Sequence, residues 1–421
     1  MRILFTTWSA SAHLFSMVPL AWACRAAGHD VLVAVPSDCV PAVGAAGLTA
    51  VAVGAATPTA APPALGGPRA TQVLRDWPAD WPLRLAELGA KRQRMLGTLV
   101  DRQLRIAGDM VPGLLDFART WRPDLIVADG STYAGTVVSK LLGVPLAAHL
   151  WGGAAVLRLE HSGPGGSPLP GYRQLFERYG ADPAHTPLGW LDPCPPMLQL
   201  PTEQRRLPVR HVPYSGPAEL PPWLLGKPAR PRVCVTWEAG ARPAGPPRGG
   251  PDPLLAAAGL LAAEGLDVVL ALGPAQRAAL TRLPDGVRAM DASALHLLLA
   301  GCAAVAHQGS GGTAMTAAAI GTPQLVVSPR PEQMLTGERL RAVGAGGHLS
   351  GGGLAGDEKA VTRVRDAVLD LLAGPARDAA LALRDEVRSL PTPSRVATGL
   401  IELAASARDG SPSVRRGHPL T

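Results

Sequence analysis

The sequence has few lysines, and its basic residues are not clustered. Only four of the 40 Lys and Arg residues are lysines, and the arginines are spread along the whole chain. A nucleic-acid-binding surface normally gathers its basic residues on one face or in one block, so the net charge of +7 does not indicate one. The abundance of Ala, Gly, Pro and Arg is typical of a GC-rich coding sequence. Nucleic acid is therefore not expected as a partner.

Long apolar runs and paired cysteines are also missing. The chain has no run of 18 apolar residues, which a membrane-spanning helix requires. Its first residues, MRILFTTWSA, lack the basic start, apolar stretch and cleavage site of a signal peptide. The five cysteines are scattered and include no C-x-x-C pair, so we expect reduced thiols in or near the core and no zinc or dithiol chemistry. These features predict a cytoplasmic protein with no membrane span.

Short buried strands alternate with helices along the first half of the chain. The strand candidates are RILFTTW, DVLVAVP, LTAVAVG, DLIVADG and VPLAAHLWG. The first helix candidate, HLFSMVPLAWACRAAG, has apolar residues at helical spacing and ends at Gly28. We expect it to begin near Ser16 to Val18, because Pro19 is tolerated in the first turn of a helix and not in its middle.

The same alternation begins again after a proline-rich stretch that is typical of an interdomain linker. The later strand candidates are RVCVTWE, DVVLALG, AAVAHQ and PQLVVSP. The prediction is an α/β protein with two doubly wound parallel-sheet domains, which face a central cleft where such folds bind ligands. The predicted segments are a first domain at 1–211, a linker at 212–231, a second domain at 232–385, a helical segment at 386–409 and a disordered tail at 410–421.

One insertion within the first domain has two interpretations. Residues 55–72, AATPTAAPPALGGPRATQ, are too rich in Pro, Ala and Gly to form a core element. They are either a surface loop that borders a substrate or a mobile insertion, and composition does not choose between these. Residues 160–200 are also expected to be irregular, because they contain SGPGGSPLPG and LDPCPPMLQL.

The glycine-rich sequence AHQGSGGT, residues 306–313, lies between a strand candidate and an alanine-rich helix candidate. Its glycines would let the backbone approach a phosphate group closely, and the unpaired amides of a helix start favour an anion. It is not a Walker loop, because no Gly-Lys-Ser/Thr follows, and the first strand of the chain leads into no dinucleotide fingerprint. The motif is therefore either an anion-binding cradle or a tight turn.

With this motif in place, the sequence resembles the GT-B fold glycosyltransferases of family one. It is most similar to the actinobacterial enzymes that attach deoxysugars to macrolide and other polyketide antibiotics. The segments that carry the resemblance are HLFSMVPLAWACRAAGHDVLVA, HLWG, LDPCPP, VPYSGPAELPPWL and residues 307–344, so it covers nearly the whole chain. It implies that the first domain binds the acceptor and the second domain binds a TDP- or UDP-linked sugar.

The resemblance assigns donor-binding roles within the second domain. His307 matches a histidine that contacts the donor pyrophosphate, and Glu332 with Gln333 matches an acidic-Gln pair that binds sugar hydroxyls, although a plain helix start would also favour Glu332. Many relatives have a second histidine where this chain has Gln308. We expect little functional loss from that change, because the cradle acts mainly through backbone amides. The implied donor-binding residues are Thr236, Ser293, His307, Gly309, Ser310, Gly311, Gly312, Thr313, Glu332 and Gln333.

His13 and Asp129 are the predicted catalytic pair. Inverting glycosyl transfer needs a general base, and His13 matches the catalytic histidine of the family in SAHLFSMVPL. Asp129 ends the strand DLIVAD and either orients His13 or acts itself as base toward a phenolic or carbon nucleophile. Simpler roles stay open at this point: His13 could satisfy backbone groups at a helix start, and Asp129 could form a turn before Gly130.

Metal ions and cofactors are not expected to be required. The sequence has no Asp-x-Asp to hold Mg²⁺ against a diphosphate, and a helix-start cradle can stabilise the leaving group instead. A polyketide acceptor suits a pocket with large apolar side chains. His149, Trp151 and Trp190 are candidates for its lining, or else ordinary packing residues.

The predicted function is therefore inverting, metal-independent transfer of a deoxysugar from a TDP-sugar or UDP-sugar to a hydroxyl of a natural-product aglycone. One alternative is a nucleotide-sugar epimerase of the same fold, which would convert the donor without an acceptor. A second alternative is a non-catalytic protein that binds a nucleotide sugar or activates a neighbouring transferase. The resemblance also admits a homodimer and an auxiliary activator protein. The sugar, the aglycone and the bond type, to O, N or C, stay open.

Overall fold

A computed structural model of the protein describes residues 1–56, 77–237, 253–280, 282–328, 330–350 and 359–408. These residues form two α/β domains, each built on a fully parallel sheet. The strands of the first sheet are β1 Arg2–Thr6, β2 Asp30–Val35, β3 Ala50–Ala52, β4 Leu125–Asp129, β5 Leu146–His149, β6 Trp190–Asp192 and β7 Arg206–Pro208. Those of the second are β8 Arg232–Thr236, β9 Asp267–Leu272, β10 Val287–Asp291, β11 Ala304–His307, β12 Gln324–Ser328 and β13 Gly346–Ser350.

The strand order reverses once in each sheet. The order is β3-β2-β1-β4-β5-β6-β7 in the first sheet and β10-β9-β8-β11-β12-β13 in the second. Each order changes direction next to the first strand of its sheet, between β1 and β4 and between β8 and β11. The crevice outside the carboxyl ends of such a strand pair is where open parallel sheets bind ligands. The predicted fold of two doubly wound domains is confirmed.

Helices cover both faces of each sheet. In the first domain they are α1 Ser11–Ala26, α2 Val40–Ala45, α3 Ala90–Trp121, α4 Tyr133–Leu142 and α5 Pro170–Glu177. After the second sheet begins they are α6 Pro253–Ala263, α7 Pro274–Ala278, α8 Leu295–Ala300, α9 Gly311–Ile320, α10 Pro331–Ala342, α11 Ala360–Ala373, α12 Ala376–Ser389 and α13 Pro393–Arg408. Of the helices in the described ranges, none is both long and apolar enough to cross a membrane.

Strand β1 is apolar at consecutive positions because both faces of its sheet are buried. Ile3 and Phe5 pack in one hydrophobic core with residues of α1, and Leu4 packs in a second core with residues of α3 and α4. Successive side chains of a strand point to opposite faces, so a strand that is covered on both faces needs apolar residues at every position. Burial on both faces therefore stabilises the first sheet, whose strand ends carry part of the candidate site described below.

The predicted start of α1 is wrong. The helix begins at Ser11, so Pro19 lies in its interior and His13 lies in its first turn. Proline inside a helix costs about 3 kcal/mol. The buried side chains of Leu14, Val18 and Leu20 each contribute about 1.5–3 kcal/mol, which outweighs that cost. Tertiary packing has therefore overridden the local rule that set the predicted start.

Three other predicted segments also need correction or fall outside the description. Residues 160–200 are not wholly irregular, since they contain α5 and β6. The insertion at 55–72 and the tail at 410–421 lie almost entirely outside the described residues. Residues 212–231 carry only a short 3-10 helix at Pro222–Leu225.

The last helix returns to the first domain. Val396, Ala397, Leu400 and Ala404 of α13 belong to the same buried cluster as the apolar face of α1. The connection is fixed by Arg210, whose backbone amide donates to the Pro391 carbonyl at 2.7 Å. The end of the chain therefore completes the core of the domain with which the chain begins.

Further contacts join the two domains beside the cleft. The indole Nε1 of Trp81 donates to the carbonyl of Pro331, at the start of α10, over 3.3 Å, and Met334 of α10 packs in the same buried cluster as Trp81. Arg339 Nε donates to the Leu198 carbonyl at 3.1 Å. Helix α10 is thus held against the first domain as well as against its own sheet.

Candidate active site

The two predicted catalytic residues meet where the first sheet reverses its strand order. His13 lies in the first turn of α1, which follows β1, and Asp129 is the last residue of the neighbouring strand β4. His13 Nδ1 lies 2.7 Å from Asp129 Oδ2. The structure therefore brings together a pair that is 116 residues apart in sequence.

The surroundings of Asp129 keep its carboxyl group ionised. Its side chain is 1% exposed, and its Oδ1 accepts hydrogen bonds from Ser131 N at 3.0 Å and Ser131 Oγ at 2.6 Å. Burial raises the pKa of Asp129, but the charge and hydrogen bond of His13 and the bonds from Ser131 leave it below its ordinary value. An ionised carboxylate can only accept, so His13 Nδ1 carries the proton and Nε2 is left as an acceptor.

Two tryptophans hold the imidazole of His13. Trp8 meets the ring edge-on, with ring centroids 5.1 Å apart, and Trp151 lies against it with centroids 4.3 Å apart. The guanidinium of Arg102 in turn lies over the Trp8 ring, 4.9 Å from its centroid. The His13 side chain is 13% exposed. The ring is therefore fixed in orientation and keeps a small exposed surface.

The motif at residues 306–313 forms a strand-to-helix turn at the reversal point of the second sheet. Strand β11 ends at His307 and helix α9 begins at Gly311. Ser310, at the N-cap, makes no capping bond, and its hydroxyl donates to Thr313 Oγ1 at 3.0 Å. Across the described ranges, no acceptor pairs with the backbone amides of Gly311, Gly312 or Thr313. Such unpaired amides are the groups that bind phosphate at helix starts.

Glycine is structurally required at two positions of this turn. Gly309 has a φ of +92°, and a Cβ there would lie 2.7 Å from Val326 Cγ1. A Cβ on Gly311 would overlap the Trp151 carbonyl oxygen, whereas one on Gly312 would meet nothing within 4 Å. The turn is therefore closely packed on one side and open at Gly312.

His307 supports the turn through both of its ring nitrogens. Its Nδ1 accepts a hydrogen bond from Gly309 N at 3.1 Å, so Nε2 carries the proton and donates to Gln324 Oε1 at 3.0 Å. Burial lowers its pKa to about 4, which makes the ring neutral at pH 7. The implied contact between His307 and a donor phosphate would require one of these bonds to be exchanged.

Two glutamine side chains beside the turn are buried with unpaired polar atoms. Neither Oε1 nor Nε2 of Gln308 has a hydrogen-bond partner, and Oε1 of Gln333 also lacks one, as far as the described ranges extend. Gln333 adjoins Gly309, whose Cβ would lie 2.9 Å from its backbone oxygen. Glu332 is half-buried in the first turn of α10. The predicted sugar-binding pair thus starts a helix that touches the cradle.

Thr236 and Ser293 lie at the carboxyl ends of strands in the same sheet. Thr236, the last residue of β8, pairs in register with His307, and its hydroxyl donates to the Ala271 carbonyl at 2.7 Å. Ser293 follows β10, and its backbone amide donates to Asp291 Oδ1 at 2.7 Å. Both are positioned by the carboxyl ends of strands, although the Thr236 hydroxyl already has a partner.

Two of the three candidates for acceptor lining are packing residues in this structure. His149 is 1% exposed, and its Nδ1 donates to the Leu150 carbonyl at 2.7 Å. Trp190 is buried against Gly130, whose Cβ would lie 2.9 Å from its ring. Neither side chain presents a surface to an acceptor in this structure, because both are buried. A strand-end position in sequence does not reveal which face a side chain takes.

Trp151, the third candidate, lies between the two halves of the site. Its ring contacts His13, and its backbone carbonyl lies against Gly311 at the start of α9. Gly152, with a φ of +95°, lets the chain turn at this contact. The cleft is therefore spanned at this point by one residue of the first domain.

Sequence reasoning missed three residues that shape the site. Ser131 holds Asp129, Trp8 packs on His13, and Gln324 holds His307. Only Ser131 had a local signal, because Asp followed by Gly-Ser is a typical turn in which the carboxylate accepts from the residue two positions later. Trp8 and Gln324 act through contacts that only the fold creates.

Metal-binding clusters and reactive thiols are not part of this site as described. No group of three or more His, Cys, Asp or Glu side chains in the described ranges is arranged to hold a metal ion. All five cysteines are buried and unpaired, as expected, and burial raises the pKa of Cys24 to about 12.

Comparison with known proteins places this fold in a class. The structure of the spinosyn rhamnosyltransferase SpnG with thymidine diphosphate has a TM-score of 0.76 and 30% sequence identity, over 95% of this chain and all of that one. The shared architecture is the GT-B fold of glycosyltransferases. The likeness to this enzyme agrees with the resemblance found in the sequence.

Family models and curated relatives define the family. The N- and C-terminal domain models described as "Erythromycin biosynthesis protein CIII-like" match residues 22–238 and 253–403. The TDP-daunosamine transferase DnrS of Streptomyces peucetius is 35% identical, over 97% of this chain and 98% of its own length. The aklavinone 7-beta-L-rhodosaminyltransferase of Streptomyces galilaeus is 36% identical, over 98% of both chains. The chain therefore belongs to the erythromycin biosynthesis protein CIII-like family of antibiotic glycosyltransferases.

Proposed function

We propose that this glycosyltransferase moves a deoxysugar from a TDP-sugar to a hydroxyl group of a polyketide or similar natural product, with inversion and with His13 as general base. The observation that carries the proposal is the His13–Asp129 hydrogen bond at the cleft edge of the first sheet. The names of the relatives support the substrate classes, since one is a TDP-daunosamine transferase and another acts on aklavinone.

The dyad geometry suits proton removal from an acceptor hydroxyl. Asp129 fixes the proton of His13 on Nδ1, so Nε2 is the atom that can take a proton. The acceptor oxygen forms its bond to the anomeric carbon while its proton moves to Nε2, and the buried carboxylate of Asp129 stabilises the imidazolium that results. A positioned base of this kind contributes about 10²- to 10⁴-fold to a rate.

The cradle in the second domain suits the departing diphosphate. The bond between the anomeric carbon and the diphosphate oxygen breaks as the acceptor attacks from the opposite face, and negative charge grows on TDP. The unpaired amides of Gly311, Gly312 and Thr313, with the positive end of the α9 dipole, stabilise that charge. This support does not need a divalent cation, so we propose that transfer is metal-independent.

The test combines a transfer assay with a donor-only control. The protein is incubated with a TDP-deoxysugar and a panel of polyketide aglycones, and the products are identified by mass spectrometry and the new anomeric configuration by NMR. We expect a glycoside with inverted configuration, unchanged by a chelator, and no change of the donor without acceptor. A retained configuration, or conversion of the donor alone, would overturn the proposal.

Nucleotide binding gives an independent check. TDP at 100 times its dissociation constant should stabilise the folded protein by about 2.7 kcal/mol, which thermal unfolding measures directly. The absence of a shift with TDP and with UDP would remove the donor assignment.

A further inference from the structure

Gln308 is a buried polar residue that the fold leaves without partners. It lies between His307, at the end of β11, and Gly309, in the turn that precedes α9. The residue as a whole is 3% exposed, and both Oε1 and Nε2 of its side chain lack a hydrogen bond within the described part of the chain. Buried carboxamides are almost always bonded, and one with two unpaired atoms calls for an explanation.

Gln324, a second buried carboxamide, shows that the same region can satisfy such a group. It is 1% exposed, its Oε1 accepts from His307 Nε2 at 3.0 Å, and its Nε2 donates to the Ala314 carbonyl at 3.2 Å. His307 thus has a fully bonded glutamine as its partner and an unbonded one as its chain neighbour. The difference is specific to Gln308 and not general to the interior of the domain.

A second buried side chain with an unpaired atom adjoins the turn. Gln333 Oε1 is also buried without a partner, and Gln333 touches Gly309. The unpaired amides at the start of α9 follow three residues after Gln308. A ligand that occupies this cradle would enter a region where several hydrogen-bonding groups are already dehydrated, so each new bond is made at little further desolvation cost.

We infer that Gln308 is a donor-binding residue whose side-chain Nε2 donates a hydrogen bond to the diphosphate of the nucleoside diphosphate sugar. The inference rests on the proposed function and deepens it, because it adds a side chain to a cradle made of backbone amides. A neutral amide donor that faces an anionic oxygen makes a charge-assisted bond, which is stronger than a bond between neutral groups. The inference differs from the expectation that the change at Gln308 causes little functional loss.

The test measures TDP affinity and ligand-free stability in two matched variants. Gln308→Met and Gln324→Met each replace a buried carboxamide by an apolar side chain of similar length. We expect Gln308→Met to weaken TDP binding about tenfold or more, with the melting temperature of the ligand-free protein unchanged or raised, because no bond is lost. Gln324→Met should lower that melting temperature, because two bonds are lost.

Three results would overturn the inference. The first is wild-type TDP affinity in Gln308→Met, measured by calorimetry. The second is a ligand-free melting temperature that falls in Gln308→Met as it does in Gln324→Met, or a failure of Gln308→Met to fold, since either would mean that the amide is bonded in the free protein. The third is wild-type TDP affinity in Gln308→Glu, because a carboxylate at this point should repel the diphosphate and weaken binding further.

Two comparisons separate this inference from the proposed function. If the wild-type protein does not bind TDP, the proposed function fails; if it binds TDP and Gln308→Met binds equally well, only the role of Gln308 fails. Thymidine, which lacks the diphosphate, is the second probe. Its affinity should be the same for the wild type and Gln308→Met, and an equal loss for thymidine and TDP would contradict contact with the diphosphate.

Discussion

His13 has its proposed role because a second residue fixes its proton. Asp129 is buried, accepts from His13 and Ser131, and has a pKa below its ordinary value. An isolated histidine would exchange between two tautomers, whereas this one is held with Nε2 available. The sequence predicted His13 from its resemblance to the catalytic histidine of the family and Asp129 from its position at a strand end, but the hydrogen bond that connects the two residues is visible only in the fold.

Asp129→Asn tests whether the charge of this residue matters. The amide has nearly the same shape, but it removes the negative charge that stabilises protonated His13, so we expect the transfer rate to fall about 10²-fold or more. TDP affinity should not change, because the proposed diphosphate site lies in the second domain. Initial rates and calorimetry give the two values, and a wild-type rate in Asp129→Asn would contradict the dyad.

Buried histidines predict a loss of stability in mild acid. Burial lowers the pKa of three histidines, His149, His211 and His307, to about 4, against about 6.5 in an unfolded chain. The unfolded state therefore binds protons first, and stability falls as pH decreases from 6.5 toward 4. Each histidine should remove about 1.6 kcal/mol between pH 6.5 and 5.

Urea unfolding at pH 7, 6 and 5 measures this dependence. His149→Gln, which cannot be protonated, should lose about a third of the wild-type slope between pH 6.5 and 5. A wild-type stability that is level over this range would mean that the three rings are protonated in the folded state.

At the scale of elements, the sequence predicted strands better than helix starts. A strand that is buried on both faces needs consecutive apolar residues. This pattern made five strands predictable from the sequence, namely β1, β2, β4, β8 and β12. The start of α1 was mispredicted, because the local rule excludes proline from a helix interior. The burial of the apolar side chains around Pro19 is a tertiary effect, which that rule does not include. His13 consequently lies on a helix rather than in a loop.

The cradle turn could be located from its glycines, but the sequence could not show which of them is crowded. A Cβ on Gly311 would collide with the Trp151 carbonyl, which belongs to the other domain, and one on Gly312 would be free of contacts. This distinction depends on the approach of the two domains, and no local pattern encodes it.

The variants Gly311→Ala and Gly312→Ala test this difference in crowding. Alanine is favoured over glycine in a helix by about 1 kcal/mol, so Gly312→Ala should leave the melting temperature of the ligand-free protein unchanged or raise it. Gly311→Ala should lower it, because the Trp151 backbone must move. Equal melting temperatures for the two variants would contradict the interdomain contact.

At the scale of the whole molecule, the last helix of the chain packs against the first domain. Helix α13 follows the second domain in sequence but completes the core of the first. The predicted helical segment at 386–409 contains this helix, yet nothing in its sequence indicates which domain it covers. An amphipathic helix shows that it has a partner surface and does not show where that surface lies.

Leu400→Ala tests this return. Leu400 is buried in the cluster with α1, so its truncation should cost about 2–5 kcal/mol of unfolding free energy. Glu402→Ala is the matched control, because Glu402 is exposed on the same helix and surface changes usually stay within about 0.5 kcal/mol. Equal stability of the two variants by urea unfolding would show that α13 does not contribute to the first core.

The most direct test of the proposed function is the rate of sugar transfer by His13→Ala, measured beside TDP binding of the same variant. The proposal predicts a rate about 10²- to 10⁴-fold below wild type with unchanged TDP affinity, because His13 removes the acceptor proton and does not touch the leaving group. A His13→Ala variant that transfers the sugar at the wild-type rate would contradict it.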